Sequence, residues 1–172
     1  ALTVTKDTIP ATGGTVIAGA QDVLLGSWTF DATNAGEDIR ITSLLFAASS
    51  SDATNLTVYD GTYASGTAMS PINDAPTSDD DGATSTFAFD DPIIVTMGTS
   101  KTIQLVGDIN SSATATDSTQ FGLTDATAAN NPSVVAYGKS TNKRATLTLT
   151  ADNGATLTYA AAGAVTVSTY NN

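Results

Sequence analysis

Aspartate is the residue type in this chain whose number and spacing favour a definite chemistry. Of 17 acidic residues only Glu37 is a glutamate, and all the others are aspartates. Segment 78–82, SDDDG, places like charges in succession, and these repel one another unless water or a cation lies between them. A further acidic pair ends the strand that follows, and short carboxylates of this kind are ligands of calcium. The predicted calcium ligands here are Asp79, Asp80, Asp81, Asp90 and Asp91.

A second acidic loop, DATNAGED at residues 31–38, is another candidate for calcium. Its oxygen-bearing side chains surround a turn at Gly36. The predicted ligands in this loop are Asp31, Asn34, Glu37 and Asp38. Neither loop has the spacing of an EF-hand. The alternative interpretation for both is that acidic residues close solvated surface loops of an all-β protein, because Asp favours turns.

The residue types that are missing exclude most kinds of catalysis. The chain has no His and no Cys, which excludes Ser-His-Asp triads, an imidazole base, His-bound metals and thiol nucleophiles. Glycosidase chemistry would need two carboxylates in a defined cleft. Adjacent residues of a strand point to opposite faces, so Asp90 and Asp91 form no acid–base couple unless a turn intervenes. We therefore predict that the protein is not an enzyme.

The elements that must position these loops are β-strands built around segment 22–47. Apolar residues alternate with polar ones up to Trp28 and Phe30, which is the pattern of a half-buried strand. Between Ile41 and Leu44 the alternation shifts by one residue. This shift predicts a bulge near Ser43.

The pattern of the whole chain predicts the fold class. About a dozen short strands alternate with turn signals, and no segment has the length and period of a helix. With 172 residues and 41% hydrophobic content, the chain is long enough for one core. We predict an all-β fold, a single β-sandwich that is jelly-roll-like and has a detachable terminal strand. The clearest predicted hairpin spans residues 146–160, with Asn153-Gly154 in its turn.

The N-terminal segment is predicted to be separate from the main domain. Residues 1–14 are a strand and a linker, and residues 15–172 are the β-sandwich domain. Leu2 and Val4 lie on one face of the strand, and the linker contains Pro10, so the strand is tethered rather than folded into a hairpin. Since no signal peptide precedes the strand, we expect the mature form if the protein is exported.

This tethered strand is a candidate for donation to a neighbouring copy. An alternating terminal strand can add to an open sheet edge of another molecule. The predicted assembly residues are Leu2 and Val4, with Val165 and Val167 of a C-terminal strand as the alternative donor.

The net charge and hydropathy of the chain limit the classes of partner that it can bind. The net charge of −11 and the pI near 4.1 argue against nucleic acid and against anionic lipid surfaces. No apolar run reaches the roughly 18 residues of a membrane-spanning helix, so no membrane span is predicted.

A carbohydrate partner is the alternative to self-assembly. Tyrosine rings are suited to lining a sugar-binding face, although tyrosines on strands are also ordinary half-buried packing residues. The tyrosines in question are Tyr63, Tyr137, Tyr159 and Tyr170. Asn55 and Asn110 satisfy the glycosylation sequon, which occurs often by chance in a Thr-rich chain.

Several strings of the chain carry a family resemblance. LTV, VIAGAQDVLLGSWTFDA, EDIRITSLLF and TSKTIQLVGDI resemble tandem β-sandwich modules of prokaryotic surface proteins. Over residues 1–130 the chain is also similar to the Thr/Ala/Asp-rich subunits of extracellular filaments and tubes, whose neighbours are joined by donated strands. The resemblance implies a secreted, cell-surface homopolymer. We expect a structural subunit of an extracellular filament, tube or surface layer, with calcium at the acidic loops, and the alternative is a carbohydrate-binding or adhesin module.

Overall fold

The computed structural model describes residues 1–48, 52–73, 83–123, 133–150 and 154–161. Within these ranges the chain forms thirteen β-strands and no helix, as the sequence pattern predicts. The strands are β1 (Leu2–Lys6), β2 (Gly14–Ile17), β3 (Val23–Asp31), β4 (Ile39–Ala48), β5 (Ala53–Asp60), β6 (Thr67–Asn73), β7 (Ala83–Val95), β8 (Ser100–Ile109), β9 (Ser118–Thr119), β10 (Phe121–Gly122), β11 (Val134–Gly138), β12 (Leu147–Thr150) and β13 (Leu157–Ala160). This described part of the chain has no helix with the length and apolar character needed to cross a membrane.

The strands form three sheets. The first has six strands in the order β12-β1-β3-β8-β5-β6. In the second, β4 pairs with β7 along one side and with β11 and β10 along the other. The third is small, in the order β2-β13-β9. Most pairs are antiparallel, but β1 with β12 and β2 with β13 are parallel, whereas a jelly roll is built from antiparallel strands.

The first two sheets share one hydrophobic core. Trp28 of β3 meets Phe46 of β4 with 5.1 Å between ring centroids, and Phe46 meets Phe87 of β7 edge to face. The indole also lies against Gly26, where an added Cβ would come within 2.2 Å of the ring. Trp28 is therefore a fully buried core residue, as the strand alternation predicts.

The predicted bulge lies at Thr42. The register of β4 against β7 shifts between Ile41 and Ser43, and the register against β11 shifts at the same place. On β7 the residues between Ala88 and Ile93 all lie opposite Thr42. The shift brings Leu44 and Phe46 back to the core face, which confirms the sequence interpretation.

The predicted hairpin over residues 146–160 is wrong. β12 lies in the first sheet beside β1, while β13 lies in the third sheet between β2 and β9. After the segment that joins them, the Gly154 N–H donates to the carbonyl of Phe121 at 2.7 Å. Each strand therefore has a distant partner that competes with the local turn, and the turn signal alone does not decide the pairing.

The first strand forms no hairpin with β2, the next strand in the chain. β1 pairs with β3 and β12 in the first sheet, whereas β2 pairs with β13 in the third. The linker that joins β1 to β2 therefore passes from one sheet to another and forms no hairpin.

Candidate functional site

The acidic loop at residues 31–38 has its carboxylates bonded to protein donors. Asp31 accepts hydrogen bonds from the backbone N–H and the hydroxyl of Thr33, and these hold the pKa of Asp31 below its ordinary value. Asp38 accepts the Met97 N–H at 3.0 Å and meets the Lys139 ammonium at 3.4 Å. The Met97 N–H is the main reason that the pKa of Asp38 is lowered.

Glu37 reaches across to the turn that follows β11. Its carboxylate accepts the Thr141 hydroxyl at 2.6 Å and the N–H groups of Ser140 and Thr141 at 2.6 and 3.0 Å. These hydrogen bonds, led by that of the Thr141 hydroxyl, lower the pKa of Glu37. Gly138 lies close beside them, and a Cβ there would come within 2.3 Å of the Glu37 carboxylate, so a larger residue would shift this side chain. The loop is thus built to hold this turn.

The predicted calcium ligands are only partly brought together. Within the described ranges no three acidic, His or Cys side chains form a group that could hold a metal ion. Asn34 is exposed, and the three carboxylates of this loop already accept hydrogen bonds from protein donors. Asp79, Asp80 and Asp81 lie outside the described residues, so calcium binding there stays a prediction.

Asp90 and Asp91 lie on the long bulge of β7. Both are exposed and both line one cleft of about 300 Å³, together with Thr67, Ala68 and Met69 of β6. The bulge interrupts the alternation of β7 at this pair, and the two residues border the same cleft.

A chain of hydrogen bonds that the sequence analysis missed crosses the outer face of the first sheet. The Ser27 hydroxyl donates to Asp7 at 2.6 Å, and the Thr29 hydroxyl donates to the other oxygen of the same carboxylate at 2.7 Å. The Gln104 amide donates to the Ser27 hydroxyl at 3.3 Å, and its oxygen accepts the Tyr63 N–H at 2.7 Å. We call these residues the Asp7 network. It joins the linker after β1 to the loop after β5.

The Asp7 network forms the floor of an open groove of about 480 Å³, which we call the polar groove. Its lining residues are Lys6, Asp7, Thr8, Ile9, Ser27, Thr29, Thr62, Thr102 and Gln104. Ser27 is 2% exposed and Gln104 is 3% exposed, although both lie on the face of the sheet away from the core. The sequence signal was present as polar residues facing one another on β3 and β8, but their burial depends on the linker that covers them.

The N-terminal assembly residues lie inside the chain's own core. Leu2 and Val4 are fully buried, and β1 lies between β3 and β12, opposite Phe30 and Leu147 among others. Val165 and Val167, the alternative donor residues, lie outside the described residues. In the described structure β1 therefore completes its own sheet.

The tyrosines considered for a sugar-binding face do not share one face among the described residues. Tyr159 is buried in the third sheet, and Tyr137 lies on β11 beneath the Arg40 guanidinium, 5.5 Å from the ring centre. Tyr63 is 40% exposed in the loop after β5 and packs edge to face on Tyr59. Tyr170 lies outside the described residues. The described tyrosines are separated because they belong to different sheets.

Comparisons with known proteins give a distant structural likeness. No family model matches the chain, and no curated protein matches it. Among solved structures, a DUF4466 family protein from Parabacteroides merdae is similar, with a TM-score of 0.39 and 16% identity. The match covers 84% of this chain and 44% of that protein.

Proposed function

We propose that the protein is a non-enzymatic structural subunit of an extracellular filament, tube or surface layer, joined by exchange of β1 between copies. The first and second sheets are, in this proposal, the two layers of a β-sandwich that accepts the strand. The observation that supports exchange is the position of β1, which fills a gap between β3 and β12 yet has no hairpin to its neighbour in sequence. A strand with these connections can leave its own sheet without breaking a local turn, and an identical strand can replace it.

The free energy gained by docking β1 is too small to hold a polymer together by itself. Burial of Leu2 and Val4 stabilises a docked strand by ~3–6 kcal/mol, at ~1.5–3 kcal/mol per side chain. Association of two copies costs ~4–15 kcal/mol. Because one copy already makes the same contacts internally, the polymer needs additional stabilisation from side-by-side contacts or from calcium at the acidic residues.

The test uses the full chain with Leu2→Asn and Val4→Asn. A buried Asn without partners destabilises the docked strand, so this variant cannot donate β1. It still presents the gap beside β3, and we expect it to end growing wild-type polymers when it is added at a low ratio. Sedimentation and electron microscopy should show shorter polymers and a larger unassembled fraction.

The matched control is Thr3→Asn with Thr5→Asn, which places the same polar groups on the other face of β1. Neither threonine belongs to the buried core, so this variant should assemble almost as the wild type does. If the Leu2/Val4 variant alone polymerises at the wild-type critical concentration, exchange of β1 is not the joining mechanism.

A further inference from the structure

The polar groove has the features of a binding site, and the proposed assembly does not require a ligand in it. It lies across the middle of the first sheet, between the linker after β1 and the loop after β5. We propose that this groove binds a neutral saccharide chain. The inference starts from its floor, which is made of hydroxyl, amide and carboxylate groups fixed in place before a ligand arrives.

The floor is held rigidly by its own hydrogen bonds. Ser27 and Gln104 face each other across β3 and β8, and each uses its polar atoms within the Asp7 network. Side chains that are already ordered lose little conformational entropy when a ligand binds, so the groove is preorganised.

Hydrogen-bonding capacity remains toward the open side. Each Asp7 oxygen accepts one hydroxyl, and a carboxylate oxygen accepts more than one hydrogen bond. Asp7 and Thr102 are both partly exposed, and the Thr102 hydroxyl both donates and accepts. A ligand rich in hydroxyl groups, which are donors and acceptors at once, matches this mixture of groups.

The charge and backbone of the groove favour a neutral saccharide over other ligands. Lys6 and Asp7 both line it, so their charges offset each other, and the whole chain carries a net charge of −11 that repels anions. β3 and β8 each pair on both sides, so a peptide strand finds no unpaired backbone to join in the floor. A saccharide needs only the side-chain groups.

The linker wall supplies apolar surface for the carbon-bound faces of sugar rings. Ile9 lines the groove and is 53% exposed, so its side chain is open to contact with a ligand.

The test measures binding of neutral oligosaccharides to the intact chain by titration calorimetry. The probes are cellohexaose, xylohexaose, mannohexaose and maltohexaose, and a sulfated heparin hexasaccharide is the anionic comparison. We expect at least one neutral probe to bind at millimolar or lower concentration and to bind more tightly than the heparin fragment does.

Amino-acid substitutions in the groove test whether the oligosaccharide binds there. Thr102→Val removes one hydroxyl from the floor with little change of shape and should weaken binding about three- to tenfold. Ile9→Ala removes the exposed apolar side chain from the linker wall and should weaken binding as well. Thr148→Val, the same change at an exposed position of β12, should leave binding unchanged, and melting curves establish that all three variants are folded.

Two results would overturn the proposal. One is that none of the neutral probes binds at millimolar concentration. The other is that a probe binds with the same affinity to wild type, Thr102→Val and Ile9→Ala, which would place its site elsewhere. Neither result depends on polymerisation, so failure of this proposal can be distinguished from failure of the proposed assembly.

Discussion

Glu37 shows how one side chain can fix the distance between two parts of this fold. It is the single glutamate of the chain, and it accepts both N–H groups and the hydroxyl of a turn 103 and 104 positions away. From the sequence, the carboxylate oxygens of Glu37 are predicted calcium ligands. In the structure they accept hydrogen bonds from two backbone N–H groups and a hydroxyl.

We predict that Glu37→Gln removes part of the pH dependence of stability. The pKa of Glu37 in the folded protein is lowered from 4.5, chiefly by the Thr141 hydroxyl, so this carboxylate stabilises the fold above that pH and loses its effect as pH falls through the folded value. The melting temperature of the wild type should exceed that of the variant near pH 7, and the difference should shrink at a pH well below 4.5. Equal differences at both pH values would contradict the assignment.

A second prediction at this scale concerns Trp28. Truncation to Ala leaves a cavity between Phe46 and Gly26, and removal of a buried Trp costs about 3–5 kcal/mol, a large part of a typical stability of about 5–15 kcal/mol. Urea unfolding should therefore show a strongly lowered midpoint. The control is Tyr63→Ala, an exposed ring whose loss should have a much smaller effect. A stable Trp28→Ala variant would mean that the indole is not a core element.

At the scale of single elements, the bulge of β7 is the feature with the clearest chemical consequence. It places Asp90 and Asp91 on one cleft with residues of β6. Two carboxylates in one cleft repel each other, and a cation would relieve that repulsion. If calcium binds to the described part of the chain, we expect it at this cleft beside the bulge.

We predict that millimolar calcium raises the melting temperature and promotes assembly, and that excess chelator reverses both effects. A ligand at about 100 times its Kd stabilises the folded state by about 2.7 kcal/mol. Asp90→Asn with Asp91→Asn should reduce the response to calcium. Magnesium is the control ion, because it prefers a stricter geometry. Identical melting and assembly in calcium and in chelator would show that no calcium site exists.

The sequence predicted those parts of the fold that depend on local pattern. The bulge at Thr42 followed from a shift in alternation, and the burial of Trp28 followed from its place on β3. The hairpin around Gly154 failed because β12 and β13 each pair with strands far away in sequence, and a turn signal carries no information about such partners. The Asp7 network was missed for the same reason, since it forms only when the linker folds over β3.

At the scale of the whole molecule, β1 links the fold to the proposed assembly. It is a terminal strand that completes the first sheet, and its linker also forms one wall of the polar groove. If β1 comes from a neighbouring copy, that wall comes with it. A ligand in the groove would then hold the donated strand in place, because whatever binds the docked state also stabilises it.

Exchange of β1 is tested most directly by disulfide trapping, for which this cysteine-free chain is well suited. Thr3 of β1 and Ser100 of β8 are both partners of Asp31, one on each side of β3, at a spacing that accommodates a disulfide. Thr3→Cys chains are co-assembled with Asp31→Cys chains and oxidised. Asp31→Cys chains mixed with Ser100→Cys chains are the matched control, and a Thr3→Cys/Asp31→Cys chain verifies that the bond can close.

If β1 passes between copies, the first mixture forms covalent dimers of two different chains on a non-reducing gel and the control mixture does not. The contrary result is a double variant that closes its bond within one chain while the first mixture gives no more cross-linked product than the control. In that case β1 stays in its own sheet, and the copies are not joined by this strand.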